Sequence, residues 1–155
     1  MSATKVLLGH RESPGAGRLV EEAIKRTRAR DVIVHVVTSM LGHGELPEVA
    51  ASSGEEGPDA GTGQERCVLD IQAAERSLAR VGEEFTRAGV AWDKHLLIHG
   101  QTPGQDLVEF ARRHQVDEII LGARKHSRLG EVLAGSTERH VTAHAPCPVV
   151  LVPVD

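Results

Sequence analysis

Short aliphatic runs alternate with longer amphipathic segments along this chain, and the alternation strongly limits the folds it can adopt. The first run, at 5–9, is short and mainly apolar and shows no alternation of polar and apolar residues, which is typical of a strand covered on both faces. Further strand-like runs occur at 31–37, 92–99, 118–122 and 149–154. Between them, apolar residues repeat at three- and four-residue steps, as on one face of a helix. The predicted order is β-α-β, a long loop, and then α-β-α-β-α-β.

This order predicts an α/β fold: an open, doubly wound, mainly parallel five-stranded sheet with helices on both faces. Strands that alternate with helices pair in parallel, because each right-handed crossover returns the chain to the same end of the sheet. In such sheets, ligands bind beyond the carboxyl ends of the strands, where the strand order reverses. The loops that leave Leu8 and Leu121 are therefore the first candidates for a binding site, if they flank the reversal.

Several residues mark the ends of the predicted helices. The clearest apolar periodicity runs over 68–85, and Gly89 follows it as a natural C′ residue. Thr102 is placed to cap the next helix, with Pro103 at its first position. A last helix is predicted over about 129–144, before a Pro-Cys-Pro segment that cannot continue it.

The length of 155 residues fits a single domain over 1–155. The segment 42–66 is rich in Gly, Ser, Pro and Glu, has no usable periodicity, and holds six acidic residues against one arginine. We expect it to be a flexible acidic surface loop, because a segment of this composition cannot bury enough apolar area to order itself.

Composition excludes several classes of function. The net charge of −4, with a pI of about 6.1, argues against a nucleic-acid binder, and aromatic residues amount to only 2%. No apolar stretch approaches the ~18 residues of a membrane span, and the amino-terminal residues lack the apolar core of a signal peptide. Cys67 and Cys147 have no C-x-x-C spacing, which indicates free thiols in a reducing compartment. We expect a cytoplasmic protein without nucleic-acid or membrane partners.

The nine histidines do not form a recognisable metal motif. His140 and His144 are four residues apart on the last predicted helix, but nothing nearby supplies a third ligand. His35, inside the second strand, is interpreted as a buried imidazole with its hydrogen bonds satisfied. No Gly-x-Ser-x-Gly elbow and no positioned base for a serine nucleophile are found, so no catalytic residue is assigned.

A glycine-bearing segment follows the fourth predicted strand, with a basic loop at 124–128 between its glycines. Gly122 and Gly135 would let a phosphate approach the backbone, and successive N–H groups there could cradle an anion. Ser136 could donate its hydroxyl to a phosphate oxygen at the start of a helix. The alternative is structural: Gly122 ends a strand and Gly135 allows two helices to pack closely.

This segment and the final strand resemble the universal stress protein family. Its members carry a glycine, two residues, a second glycine, nine residues, and then Gly-Ser or Gly-Thr. Gly122 matches the first glycine and Gly135-Ser136 the last pair, whereas Lys125 stands at the second glycine. The segment 145–152 is similar to the last strand of the family.

The segments 34–37 and 100–103 also fit the family, so the resemblance covers nearly the whole chain. It implies an adenine nucleotide alpha hydrolase-like fold and a stress-response role. It also implies a cleft for ATP or a related adenine nucleotide, with no metal beyond Mg²⁺ carried by the nucleotide. A homodimer is implied as well, in which the last strands pair through Val149, Val150, Leu151 and Val152.

Two departures bear on nucleotide binding. Arg11 stands where ATP-binding members carry an aspartate, and a guanidinium cannot accept a hydrogen bond from a ribose hydroxyl or an adenine amino group. Lys125 could hold phosphate by charge together with Arg124 and Arg128, or it could fill the phosphate site itself. An adenine nucleotide, a different anionic ligand and an empty cleft therefore all stay open.

The expected function is that of a homodimeric binding module in a stress response. A slow nucleotide hydrolase and a ligand-free scaffold that acts through protein contacts are the alternatives. The residues expected at the cleft are Gly9, His10, Arg11, Val37, Leu121, Gly122, Arg124, Lys125, Gly135, Ser136 and Thr137.

Overall fold

The computed structural model of this chain describes residues 3–11, 13–41, 63–99, 102–125, 132–133 and 135–154. Most of the predicted acidic loop, 42–62, lies outside the described residues. Its last four residues, 63–66, already belong to a helix.

Helices and strands alternate along the described residues, as the sequence predicts. None of the helices in this part of the chain is both long and apolar enough to cross a membrane. The elements, in chain order, are β1 (Thr4–Gly9), α1 (Ala16–Thr27), β2 (Val32–Leu41), α2 (Gly63–Arg87), β3 (Ala91–His99), α3 (Pro103–Arg113), β4 (Glu118–Lys125), β5 (Val132–Leu133), α4 (Ser136–His144) and β6 (Val149–Val154).

Five strands form a parallel sheet in the order β3-β2-β1-β4-β6, which confirms the predicted fold class. The chain builds outward from β1 through β2 to β3 and then crosses to β4 and β6 on the other side. The strand order therefore reverses between β1 and β4, which pair from Val6 with Glu118 to Leu8 with Ile120. The loops that leave β1 and β4 flank this reversal, as the binding-site hypothesis requires.

The segment after Gly122 corrects the predicted boundaries. The fourth strand does not end at Gly122, and Arg124 and Lys125 are its last residues rather than the start of a loop. Arg124 pairs with Val154 of β6 and with Leu133 of β5, so this end of β4 has a neighbour on each edge. The two-residue β5 replaces the first part of the predicted last helix, which begins only at Ser136. The basic composition of 124–125 favours a loop, but pairing with β5 and β6 makes these residues part of a strand.

The sheet is covered on both faces by aliphatic side chains, as the uninterrupted apolar runs predict. On one face, Val6 and Leu8 of β1 pack with the buried residues of α1 and α2. On the other face, Leu7 packs with the buried residues of α3 and α4. Successive side chains of a strand point to opposite faces, so β1 contributes to both layers of the core.

The predicted helix ends are confirmed by their hydrogen bonds. At the start of α3, Thr102 Oγ1 accepts from the Gln105 N–H at 3.4 Å, and the Gln105 side chain accepts from the Thr102 N–H at 3.2 Å. After α2, Gly89 has φ of 75° and the Val90 N–H donates to the Phe85 carbonyl at 2.9 Å. These contacts satisfy backbone groups that a helix end leaves without partners.

Candidate functional site

The carboxyl ends of β1 and β4 meet at Gly9. A Cβ at this position would overlap the side chain of Leu121 and would lie 3.5 Å from Leu107 Cδ1. Leu107 belongs to α3, so three elements converge where the strand order reverses. Glycine suits this close approach, because a larger residue would require the Leu121 side chain to move. If a ligand binds at this reversal, Gly9 and Leu121 would form the floor of the predicted cleft.

His10 continues β1 and links its end to two neighbouring elements. Its N–H donates to the Val37 carbonyl of β2 at 2.9 Å, and its own carbonyl accepts from Thr38 Oγ1 at 3.0 Å. Its buried imidazole is turned toward α2, where Nε2 lies 2.7 Å from Ser77 Oγ. His10 therefore fixes the loop after β1, and its ring lies between β1 and α2.

Val37 and Arg11 differ in how accessible they are to a ligand, because Val37 is buried and Arg11 is exposed. The Val37 side chain is buried in the core layer beneath α3, and its carbonyl is engaged by His10. Arg11 is exposed at the mouth of the loop that leaves β1. Its guanidinium is a donor only, so it could contact phosphate or carboxylate but not replace an aspartate acceptor.

Gly122 lies inside β4, and its small size is used for packing. A Cβ there would lie 3.2 Å from Val154 Cγ2 and 3.5 Å from Leu19 Cδ2. The structural alternative held that Gly122 ends the strand, and this is wrong because β4 continues to Lys125. Gly122 does, however, allow β6 and α1 to pack closely against β4. Arg124 and Lys125 continue the strand, but their side chains and all of Arg128 lie outside the described residues.

Gly135, Ser136 and Thr137 form the start of α4. Gly135 is the N-cap with φ of −72°, and no side chain caps this end of the helix. A Cβ on Gly135 would approach only the carboxylate of Glu138, at 2.6 Å, so this glycine does not bring two helices together. Ser136 is exposed and Thr137 is half-buried. Within the described residues, no side chain caps the first N–H groups of α4, which a helix start leaves without intrahelical partners.

The short β5 places the start of α4 beside the end of β4. Val132 pairs with Lys125, and Leu133 pairs with Arg124, in antiparallel register. Gly135 follows only two residues later, and consecutive Cα atoms are about 3.8 Å apart. The helix start, the last residues of β4 and the floor at Gly9 therefore share the carboxyl end of the sheet.

Asp106 is a buried carboxylate that the sequence analysis missed. It lies in the first turn of α3, is 2% exposed, and accepts a hydrogen bond from Ser39 Oγ at 2.5 Å. Its other oxygen, Oδ1, has no hydrogen-bond partner in the part of the chain that the structure describes. An aspartate in a first helical turn is common because it suits the helix dipole, so its burial could not be recognised from sequence.

A hollow of about 360 Å³ lies between α1 and α2. Ser77, Arg80, Glu84 and Gly17 help to line it, and His10 is the one predicted cleft residue among its walls. This hollow is therefore distinct from the floor at Gly9 and Leu121.

Comparison with known proteins agrees with this architecture. The family model of the universal stress protein family matches residues 3–153. A curated universal stress protein of Thermus aquaticus is 33% identical over 85 residues, which cover 52% of this chain and 61% of that protein. The match thus spans about three fifths of that relative's length.

Two solved structures of the universal stress protein from Archaeoglobus fulgidus are similar over their whole length. One has a TM-score of 0.71 at 26% identity, and covers 100% of this chain and 96% of the other. The second, a complex with dAMP, has a TM-score of 0.67 at 25% identity and covers 100% of both chains. This chain belongs to the universal stress protein family.

Proposed function

We propose that this chain is a stress-response binding module whose cleft, at the carboxyl ends of β1 and β4, takes an adenine nucleotide such as ATP. The observation that carries the proposal is the convergence of Gly9, Leu121 and the start of α4 where the strand order reverses. Ligands of doubly wound sheets bind at this position. The dAMP complex of the Archaeoglobus fulgidus relative supports the choice of an adenine nucleotide.

The phosphates would lie at the start of α4. The N–H groups of its first turn carry partial positive charge, and the Ser136 hydroxyl can donate to a phosphate oxygen. Basic residues at 124, 125 and 128 would add charge in place of the second family glycine. Glu138 opposes this, since its carboxylate lies near Gly135 and would repel an approaching anion.

The nucleoside would lie nearer to Gly9 and the end of β2. Arg11 cannot accept a hydrogen bond there, so the charge at this position favours binding through phosphate rather than through ribose. We therefore expect weaker discrimination among nucleosides than an aspartate at this position would give.

The direct test is mass spectrometry of gently purified protein, followed by calorimetric titration with ATP, AMP, GTP and inorganic phosphate. We expect an adenine nucleotide to co-purify and ATP to bind more tightly than phosphate alone. Equal binding of ATP and inorganic phosphate would indicate a different anionic ligand. No bound nucleotide and no titration signal would overturn the proposal in favour of a ligand-free scaffold.

The same samples distinguish binding from hydrolysis. A slow hydrolase would release phosphate steadily from ATP and Mg²⁺, and the release would fall in a Lys125→Ala, Ser136→Ala double variant. Phosphoryl transfer needs positioned charge and an oriented water, so binding alone does not establish it. The proposed module binds ATP without turnover.

We also propose that two copies pair through β6, at Val149, Val150, Leu151 and Val152. Within the described residues β6 pairs only with β4, and Val149, Val150 and Leu151 are half-buried. An apolar edge strand is stabilised by pairing with another strand. Sedimentation should show a dimer, and Val150→Lys should shift it toward the monomer. Because Val150 also packs against the core, circular dichroism and urea denaturation must show that the variant is still folded.

We propose the cytoplasm as its compartment, because Cys147 is a free thiol and the two cysteines lack disulfide spacing.

In the sedimentation test of the β6 dimer, a monomeric wild-type protein would contradict the proposed dimer but not the proposed nucleotide cleft.

A further inference from the structure

Three side chains with metal-binding atoms meet on the α3 face of the sheet, near the middle of β2 and β3 and level with Leu7 and Gly9 of β1. His35 is the fourth residue of β2, and Asp93 and His95 are the third and fifth residues of β3. Residues two apart on a strand point to the same face, so Asp93 and His95 share one side of the sheet. His35 is the register partner of Asp93, which places it beside both.

The distances among the three groups match the spacing of ligands around one ion. His35 Nδ1 lies 2.9 Å from His95 Nε2, and His95 Nε2 lies 3.6 Å from Asp93 Oδ2. One nitrogen or oxygen of each side chain lies within 4.8 Å of the other two. Two nitrogen ligands of a tetrahedral Zn²⁺ lie roughly 3.3 Å apart, given bond lengths of about 2.0–2.1 Å. Small adjustments of these side chains would therefore suffice to hold a cation.

Neighbouring groups hold the three side chains in place. Phe110 of α3 meets both imidazoles edge-on, with ring centroids 5.8 Å from His35 and 4.7 Å from His95. The Lys94 N–H donates to Asp93 Oδ1 at 2.9 Å, and Oδ2 is the oxygen nearest to His95. Oriented ligands of this kind lower the entropy that must be lost when a metal binds.

The cluster combines burial with access from solvent. His35 is 9% exposed, the His95 side chain is 22% exposed, and the Asp93 side chain is 59% exposed. A cation can reach the cluster from the side of Asp93, and a water molecule can complete its coordination there. Phe110 covers the opposite side and limits the loss of the ion to bulk water.

Both imidazoles are biased toward the neutral form, which is the form that binds metals. Burial lowers the pKa of His35, the nearby His95 lowers it further, and Asp93 partly opposes the change. Burial also lowers the pKa of His95, while Asp93 opposes the change and His114 adds to it.

We propose that His35 Nδ1, His95 Nε2 and Asp93 Oδ2 bind one divalent cation of the zinc class, with water as the fourth ligand. Two imidazoles and one carboxylate suit Zn²⁺, whereas Mg²⁺ and Ca²⁺ prefer oxygen ligands. The bound ion would tie β2 to β3, on the side of β1 away from β4. This role adds to the proposed function and does not depend on nucleotide binding.

The competing interpretation is that His35 and His95 only share a hydrogen bond, one neutral ring donating to the other, as the sequence analysis assumed for a satisfied imidazole. The two interpretations exclude each other, because a shared ion uses the lone pairs of both facing nitrogens. Asp93 distinguishes them, since the hydrogen bond joins the two rings alone and the ion needs the carboxylate.

The test uses untagged full-length protein treated with EDTA and then dialysed. Calorimetric titration with ZnCl₂ should show one ion per chain, and Co²⁺ should give the intense visible bands of a tetrahedral site. Asp93→Asn and His95→Gln should each weaken Zn²⁺ binding at least about tenfold, since each removes a ligand. Asp93 is exposed, so Asp93→Asn should keep the wild-type thermal midpoint in EDTA.

His144→Gln is the matched control, because it alters the other histidine pair of the described chain. The His140 and His144 rings stack at 4.3 Å, and His144 Nδ1 lies 2.9 Å from the His140 carbonyl oxygen. We expect this variant to bind the first Zn²⁺ as tightly as wild type. The proposal is overturned if wild type binds no Zn²⁺, if Asp93→Asn binds it equally well, or if His144→Gln alone weakens it.

Discussion

Two regions of the sheet carry two different kinds of site. Where the strand order reverses between β1 and β4, the proposed cleft depends on glycines and on backbone N–H groups at Gly9, Leu121 and the start of α4. Between β2 and β3, His35 and two residues of β3 form a cluster from side chains in register. The first site depends on which residues are small, and the second depends on which strands are neighbours.

This difference decides what sequence reasoning can find. Glycines with fixed spacing after a strand are visible along the chain, so the cleft could be predicted before the structure. The histidine cluster joins residues 60 positions apart, and it becomes visible only when β2 and β3 are aligned. Its one local signal is Asp93-x-His95, a pair that points to one face only if the segment is a strand.

The largest expected effect tests the floor of the cleft. Gly9→Val should lower the free energy of unfolding by about 2–3 kcal/mol, because the new side chain would overlap the buried Leu121. Urea denaturation followed by circular dichroism measures this change. Gly17→Ala is the control, since no atom lies within 4 Å of its Cβ position, and it should stabilise α1 by up to about 1 kcal/mol. Equal stability of Gly9→Val and wild type would show that the strand ends do not meet closely.

A second change tests the buried carboxylate beside the cleft. Ser39→Ala should cost about 2 kcal/mol, because it removes the donor to Asp106 Oδ2 and leaves a buried acceptor unsatisfied. A Ser39→Ala, Asp106→Leu double variant should recover much of this loss, since it removes the buried polar group as well. Chemical denaturation of wild type, both single variants and the double variant gives the coupling energy. A double variant less stable than Ser39→Ala would mean that Asp106 stabilises α3 by another route.

Fold class, element order and most helix ends could be predicted because they depend on local patterns. The paired caps at Thr102 and Gly89 are examples, since the residues that form them are close in sequence. The course of β4 could not be predicted in this way. Its basic last residues resemble a loop, and only pairing with β5 and β6 makes them a strand.

The binding role of the candidate residues stays a prediction, and only some of these residues lie as expected. Gly9, Leu121 and Gly135 lie at the expected end of the sheet, whereas the His10 ring turns toward Ser77 of α2. The direction of a side chain depends on the elements that pack around it, and the sequence does not specify them. The burial of Asp106 could not be predicted either, because it depends on the elements that pack around α3.

Acidification tests the histidine cluster between β2 and β3. In the presence of EDTA, the free energy of unfolding should fall as the pH drops below about 6.5, the pKa of unfolded histidine. Burial lowers the pKa of His35 and His95 in the folded chain, so the unfolded chain binds more protons in this range and stability is lost as the pH falls. The loss should end below the folded pKa values. Asp93 reduces the effect, whereas His114 adds to it for both rings, and Lys5 adds to it for His35.

Denaturation curves between pH 5 and 8 measure this slope. A His35→Gln, His95→Gln double variant should have a flatter profile than wild type, because neither glutamine titrates. An unchanged slope in the double variant would place the acid sensitivity elsewhere in the molecule. The proposed difference between the cleft and the histidine cluster would then be tested by the metal titration alone.

The smallest expected effect concerns the start of α4. Glu138→Gln should raise the affinity for ATP about two- to fivefold, because it removes a negative charge beside the N–H groups that would hold phosphate. Glu109→Gln makes the same charge change on α3, where Glu109 pairs with Arg113 at 2.8 Å, and should leave ATP affinity unchanged. Calorimetric titration at low and high salt measures both variants, and the gain for Glu138→Gln should shrink at high salt because mobile ions screen the charge. An equal gain in both variants would reflect the overall charge of the protein and would remove the first turn of α4 from the phosphate site.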